Sequence, residues 1–213
     1  MLGMLLKDYY SLRSYFKKQV GLMLILYFIL SFSLRNMSFF SSMMMMYAMM
    51  MYMSAFNVDA TSNWDAYACT PPVKPLQVVA ARALLLLIGV WGVGGIATEI
   101  AMCGDAFLFQ NDPIETLGAF FVVALVYTLV GAISLPIFYK IGAERGRMAM
   151  TLLFVLPFIA VIWLGSMWED LFGEVHLESL NWTAILLGAV IVVVLLCLGS
   201  LAAAVCIYSH REY

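Results

Sequence analysis

The segment WTAILLGAVIVVVLLCLGSLAAAVCIY, residues 182–208, contains no charged side chain. A helix needs about 20 apolar residues to cross the hydrocarbon core of a bilayer, and backbone in lipid must satisfy its own hydrogen bonds, which favours a helix. Five further apolar segments precede it, at residues 20–34, 39–56, 83–102, 114–139 and 148–167. The sequence therefore predicts an all-α membrane protein with six transmembrane helices.

The basic residues lie almost entirely on one side of these six segments. With a cytoplasmic N-terminus, ten of the eleven lysines and arginines are cytoplasmic and only Arg35 is external. Cytoplasmic loops of membrane proteins carry an excess of such residues, so the pattern places both termini in the cytoplasm. The ten are Lys7, Arg13, Lys17, Lys18, Lys74, Arg82, Lys140, Arg145, Arg147 and Arg211.

The composition agrees with a membrane protein. The chain is 64% hydrophobic and 11% charged, whereas soluble domains carry about 25% charged residues. The connections are too short for a second folded domain, so we expect one membrane domain over residues 1–213, with a cytoplasmic loop at 140–147 and a cytoplasmic tail at 209–213. The net charge of −2 gives no reason to expect a nucleic-acid partner.

The N-terminal segment, residues 1–18, is amphipathic from residue 2 onward. Its apolar residues recur at helical spacing, and Lys7, Asp8 and Lys18 lie on the opposite face. The pattern predicts an interfacial helix that lies on the cytoplasmic leaflet. The alternative is a frayed basic anchor that only sets the orientation.

A methionine run occupies the second segment, within the predicted pair of spans at residues 20–56. Methionine is flexible and polarizable and suits adaptable binding surfaces, so Met45, Met49 and Tyr52 are candidates for a pathway through the bundle. The alternative is apolar filler in a lipid-facing helix. Glu99 is a further candidate, because acids inside membranes are costly and often functional, although the nearby interface would also suit a water-exposed acid.

Residues 57–82 form the longest cytoplasmic connection, between the second span and the pair at 83–139. Ser62 is suited to cap the start of a short helix, and the Thr-Pro-Pro at 70–72 stops it. Pro75 is well placed to begin the next helix. We expect a compact aromatic element that contacts a partner. The alternative is a loop that packs only on its own bundle.

Two prolines interrupt apolar segments. Pro136 lies in the fourth segment, and Pro157 lies in the fifth, which together with the sixth covers residues 148–208. Each removes a backbone donor and frees a carbonyl, which must find another partner in the bundle.

Catalytic motifs are missing from the sequence. It has no H-E-x-x-H, no G-x-S-x-G, no phosphate-binding loop and no cysteine spacing typical of zinc. We therefore expect no cofactor or metal on this chain, no enzymatic activity of its own, and an energy source on another chain.

Residues 55–84, AFNVDATSNWDAYACTPPVKPLQVVAARAL, resemble a family of short bacterial ABC-2 type permeases. The opening MLGMLLKDYYSLR resembles the family's L-x-K-D segment, LPIFYKIGAERGR at 135–147 resembles its segment after the fourth span, and the tail IYSHREY resembles its basic end. Ala60 departs from the family, in which a second acid is common there. The matching residues of the connection are Asp59, Trp64, Asp65, Tyr67, Thr70, Pro72, Lys74 and Arg82.

The resemblance implies a type V-like ABC exporter. Two six-helix permease chains, identical or similar, would pair with two separate ATPase chains that hold ATP and magnesium. The connection would dock into a groove on the ATPase. The residues that the resemblance implies in ATPase coupling are Asp59, Trp64, Asp65, Tyr67, Thr70, Pro72 and Lys74. The candidates for the cargo pathway, chosen for their side-chain chemistry, are Met45, Met49, Tyr52 and Glu99.

Among these permeases the chain is most similar to those that export amphipathic cytolytic peptides of the phenol-soluble-modulin kind. We therefore expect export of such peptides across a bacterial cytoplasmic membrane, with the bilayer, the ATPase, a second permease chain and the peptide as partners. Related members serve bacteriocin immunity or drug efflux. A non-transporting immunity or sensor subunit, a drug-efflux permease, an ion-driven transporter and a membrane enzyme are the alternatives.

Overall fold

Long apolar segments form helices, as the sequence predicts. The computed structural model describes residues 2–62, 75–142, 145–146, 148–149, 151–152, 155 and 182–209, and within them all regular structure is helical. The helices are α1 (Leu2–Leu34), α2 (Ser38–Thr61), α3 (Pro75–Leu87), α4 (Gly94–Gly104), α5 (Pro113–Ile141) and α6 (Trp182–Ser209). Two π-helical turns, Ile88–Val93 and Asp105–Phe109, extend α3 and α4 into one continuous third span.

Four helical stretches in the described part of the chain are long and apolar enough to cross a membrane. They are Ser38–Thr61, Leu76–Phe109, Pro113–Ile141 and Val190–Ser209, and a shorter apolar helix covers Gln19–Leu34. These five match the predicted segments at 20–34, 39–56, 83–102, 114–139 and 182–208. Most of the predicted segment at 148–167 lies outside the described residues, so the described helices do not amount to the predicted six spans.

The N-terminal segment does not form a separate helix. Residues 2–18 are helical as predicted, but α1 continues through Lys17 and Lys18 to Leu34 without interruption. A helix that lies flat on a membrane must bend before a crossing span, and α1 contains no such break. The first residues instead pack against other helices through Lys7 and Asp8.

Helix α2 lies at the centre of the bundle. One apolar cluster joins it to α3, α5 and α6, and a second joins it to α1 and α4. Met44, Met45 and Met49 are buried in these clusters. The interpretation of the methionine run as filler in a lipid-facing helix is therefore wrong, because most of these side chains fill gaps between helices.

The glycine-rich part of the third span is a packing face against α2. A Cβ atom on Gly94 would lie 2.7 Å from Met45 Cγ, and one on Gly89 would lie 3.4 Å from Ala48 Cβ. Small residues allow such close approach of helices in a membrane. The π-helical turn between these glycines directs Trp91 Nε1 to donate a hydrogen bond to Thr128 Oγ1 of α5, at 3.0 Å.

Pro136 lies inside α5 and leaves the carbonyl of Ala132 without its helical donor. Ser200 Oγ of α6 donates a hydrogen bond to that carbonyl. The prediction that a bundle residue replaces the missing donor is confirmed for Pro136. Pro157 lies outside the described residues.

A buried carboxylate joins the helices at the end of the bundle opposite to Lys7. Asp105 is 1% exposed; it accepts hydrogen bonds from Met37 N at 3.0 Å, Asn111 Nδ2 at 3.2 Å and Thr116 Oγ1 at 2.7 Å. Asn111 also donates to the carbonyl of Arg35 at 3.0 Å. This network ties the α1–α2 turn to the α4–α5 turn.

The connection after Asp105 is short. The π-helical turn ends at Phe109, Gln110 adopts a left-handed conformation with φ of 55°, and Asp112 caps α5 through Ile114 N at 3.0 Å. The chain therefore reverses direction within three residues here.

Candidate functional site

Four charged side chains from three helices meet at one end of the bundle. Lys7 and Asp8 come from α1, Asp59 from α2 and Arg82 from α3. Lys7 Nζ lies 3.3 Å from Asp8 Oδ1, and Arg82 Nη1 lies 3.1 Å from Asp8 Oδ2. Asp59 forms ion pairs with both Lys7 and Arg82. We call these four residues the charge cluster.

The helix ends bring Asp59 and Arg82 together. Helix α2 continues to Thr61, so Asp59 is on its last turn, and residues 57–61 belong to this helix rather than to the predicted connection. Helix α3 begins at Pro75, as predicted, and carries Arg82 two turns later. The charge cluster therefore joins the helices on both sides of residues 63–74.

Ser62 closes α2. Its backbone N–H donates to the carbonyl of Val58, and its hydroxyl donates to the same carbonyl at 2.8 Å and to the carbonyl of Asp59 at 3.3 Å. Serine can bond to the carbonyls of a helix that it follows, so Ser62 ends α2, and its predicted role at the start of a new helix stays a prediction. The two-turn helix predicted after it lies outside the described residues.

The guanidinium of Arg82 is buried and contacts two neighbouring helices. It is 4% exposed, and Nη2 donates to the carbonyl of Ala55 at 3.3 Å. Its Cζ lies 5.0 Å from the centre of the Phe56 ring, which stacks on Phe138 at 4.5 Å. Arginine is suited to such a site because its planar group binds carboxylates and aromatic faces together. One side chain therefore links α1, α2 and α3.

The electrostatics of the charge cluster are balanced. Two cations face two carboxylates, which is the condition under which buried charges are tolerated. Burial raises the pKa of the Asp8 carboxyl above its ordinary value of 3.8, against the attraction of Arg82 and Lys7. With each carboxylate paired to a cation, the arrangement is suited to hold helix ends together rather than to transfer protons.

The structure places one of the predicted coupling residues. Asp59 lies in the charge cluster, and the other six lie outside the described residues: Trp64, Asp65, Tyr67, Thr70, Pro72 and Lys74. The sequence reasoning did not connect Lys7, Asp8 and Arg82 with Asp59. The sequence did contain a clue to these three residues, because the L-x-K-D segment and the basic residue before the third span both belong to the family pattern that the chain resembles.

The predicted pathway residues do not share one surface. Met45, Met49 and Tyr52 are 0%, 1% and 1% exposed, whereas Glu99 is exposed on α4. The Tyr52 hydroxyl donates to the carbonyl of Gly131 at 3.2 Å. The first three positions are therefore inside the closed subunit, and their role in a pathway stays a prediction.

A cavity of about 500 Å³ lies beside these residues, between α1, α2 and the third span. Its lining is almost entirely apolar and includes Met51 and part of Tyr52 from α2. Met45 and Met49 point to other neighbours, in the cluster that joins α2 to α3, α5 and α6.

Comparison with known proteins gives one match. The family model described as "ABC-2 family transporter protein" matches residues 3–209. No curated protein and no solved structure matches the chain.

Proposed function

Because the chain belongs to the ABC-2 family of transporter proteins, we propose that it is the membrane permease subunit of an ATP-driven exporter of amphipathic peptides. ATP and magnesium are bound by separate ATPase chains, and a second permease chain completes the transporter. The observation that carries this proposal is the charge cluster, which joins the two helices flanking residues 63–74 to the start of α1.

The segment at residues 63–74 is the contact with the ATPase. Trp64 and Tyr67 are its anchors, since aromatic side chains contribute most to protein interfaces. Asp65 and Lys74 orient the contact by charge, and the sequence places prolines at 71, 72 and 75, which restrict backbone rotation. A displacement of this segment by the ATPase is applied to the last turn of α2 and the first turns of α3.

The charge cluster transmits that displacement. Asp59 and Arg82 are paired to each other, so α2 and α3 move together, and Asp8 and Lys7 attach α1 to both. Helix α2 contacts α1, α3, α4 and α5, so a shift of α2 is felt by all of these helices. ATP binding drives transport by favouring one of two helix arrangements.

Peptide passage requires the helices to separate. Met45, Met49 and Tyr52 are at most 1% exposed, which leaves almost no surface for cargo in this arrangement of the helices. When α2 moves away from α4 and α5, the methionines give an apolar wall that adapts to varied sequences. Glu99 is exposed on α4, and we assign it to the outer end of the pathway, where a second permease chain or water would meet it.

The orientation follows from the two ends of the bundle. Lys7, Arg82 and the C-terminal end of α5 lie at the charge-cluster end, whereas Arg35 lies beside the Asp105 network. An excess of basic residues favours the cytoplasmic side. The charge-cluster end and both termini therefore face the cytoplasm of a bacterial cell, where an ATPase reaches residues 63–74.

The ATPase contact is tested with the double variant Trp64→Ala and Tyr67→Ala. In membranes that contain the ATPase, this variant should lose co-purification of the ATPase and ATP-dependent uptake of an amphipathic peptide into inverted vesicles. Phe107→Ala is the matched control, because Phe107 is 86% exposed at the opposite end and should change neither. Normal ATPase binding and uptake by the double variant would contradict the docking assignment.

A further inference from the structure

The cavity between α1, α2 and the third span has the size and lining of a binding site. Its volume of about 500 Å³ falls in the range of roughly 300–1,000 Å³ that is typical of small-molecule sites. Apolar side chains form most of its wall, among them Val20 on α1 and Ile88 and Val93 on the π-helical turn. Such a wall suits a flexible hydrocarbon chain.

Among the side chains that the structure describes, one charged residue lines this cavity, Arg13 of α1. It is exposed, and in the described part of the chain it forms no ion pair. Its neighbour Lys7, two turns earlier on α1, is neutralised in the charge cluster. Arg13 is therefore available to an anion from outside the subunit, with Tyr9 beside it in the same lining.

The position of Arg13 along α1 matches the depth of lipid headgroups. The apolar part of α1 begins at Gln19, which is about 9 Å along the helix from Arg13 at 1.5 Å per residue. Val20 lies roughly 10 Å from Arg13 on the same scale, inside the hydrocarbon. The cavity thus has a cationic end at the membrane surface and an apolar end below it.

We propose that this cavity binds an anionic phospholipid from the surrounding bilayer, with one acyl chain between α1 and the third span and the phosphate on Arg13. A guanidinium binds phosphate with two parallel hydrogen bonds, and basic pockets between membrane helices are suited to anionic headgroups. The site is independent of the transported cargo. A bound chain would fill the space between α1 and α3 beside the charge cluster.

Lipid retention tests this site without any transport assay. The full-length chain is reconstituted in phosphatidylcholine vesicles with a minor fraction of phosphatidylglycerol and then purified in detergent, and its bound lipid is quantified by mass spectrometry. We expect phosphatidylglycerol to be enriched about tenfold over its share of the bilayer. Arg13→Gln should abolish this enrichment, whereas Arg145→Gln should not, because Arg145 is exposed beyond α5 and outside the cavity.

A second pair of variants tests the acyl chain. Val93→Trp places an indole in the cavity and should reduce the retained lipid several-fold. Val122→Trp is the matched control, because Val122 is exposed on α5, 57% against 41% for Val93, and does not line the cavity. Each variant must elute from size-exclusion chromatography as a single folded species. If Arg13→Gln does not, the comparison of Val93→Trp with Val122→Trp tests the lipid site by itself.

Four results would overturn the lipid site. Equal loss of enrichment in Arg13→Gln and Arg145→Gln would show that phosphatidylglycerol is attracted by the overall surface charge and not by a specific site. Full retention of lipid in Val93→Trp would place the acyl chain elsewhere. Displacement by free glycerol phosphate would identify a phosphate site that needs no chain. Displacement by an equimolar amphipathic peptide would make the cavity a cargo site instead.

Discussion

Replacement of Arg82 by glutamine should destabilise the protein strongly. The substitution removes the cation that pairs with Asp8 and Asp59, and it removes the bond to the Ala55 carbonyl and the contact with the Phe56 ring. Breaking a buried ion pair from one side costs about 3–5 kcal/mol. Because Arg82 is 4% exposed, water cannot replace the lost partners, so we expect the free energy of unfolding in detergent to fall by roughly that amount.

The assay is reversible unfolding of the purified chain in mixed micelles, followed by circular dichroism. Arg145→Gln is the control, since an exposed arginine at the same end should change the free energy by less than about 0.5 kcal/mol. The double variant Asp59→Asn, Arg82→Gln should lose less unfolding free energy than the two single variants together, by about 1–3 kcal/mol. If Arg82→Gln lowers the free energy of unfolding no more than Arg145→Gln does, the charge cluster does not stabilise the fold as proposed.

Three further changes probe other parts of the structure. Asp8→Asn should remove a decrease in the free energy of unfolding that begins as the pH rises above about 4. Burial raises the pKa of the Asp8 carboxyl, so the folded chain holds this proton more tightly than the unfolded chain does. Gly94→Val should cost about 1–3 kcal/mol more than Gly95→Val, because a Cβ at position 94 would meet Met45 whereas nothing lies within 4 Å of one at position 95. Ser200→Ala should cost about 0.6–1.7 kcal/mol in the native chain and much less with Pro136→Ala, which restores the helical donor to the Ala132 carbonyl.

Each of these changes has a result that would contradict it. The same pH dependence in Asp8→Asn and in the native chain would assign the effect to another group. Equal losses in the two glycine variants would show that α2 and α4 do not pack closely at Met45. A Ser200→Ala cost that is unchanged by Pro136→Ala would mean that the serine stabilises α6 in some other way. All three are measured by the unfolding assay described for Arg82.

Hydropathy located most of the helices but not their ends. The polar residues Asn57 and Asp59 suggested that the second helix stops at 56, yet α2 continues to Thr61 because its backbone hydrogen bonds do not depend on lipid. The amphipathic pattern of residues 1–18 predicted a separate interfacial helix, but α1 is one helix from Leu2 to Leu34, because polar side chains on one face leave the backbone helical. Hydropathy therefore locates apolar helices better than it sets where they end.

The site was predictable only in part, because its contacts are distant in sequence. The pattern after the second span indicated Asp59, and the basic residue before the third span indicated Arg82. The pairing of Asp59 with Lys7 joins positions 52 residues apart, and nothing local specifies that the start of α1 packs beside the end of α2. In the same way, Pro136 predicted a freed carbonyl, but not that Ser200 would be its donor.

The most direct test of the exporter is peptide accumulation in proteoliposomes with the charge-cluster end outward. Vesicles that contain this chain and its ATPase should accumulate a fluorescent amphipathic peptide when ATP is added. They should accumulate none with a non-hydrolysable ATP analogue, or when either protein is omitted. Uptake that persists without the ATPase, or that is driven by an ion gradient alone, would contradict the account, and so would protection of cells from the peptide without any uptake.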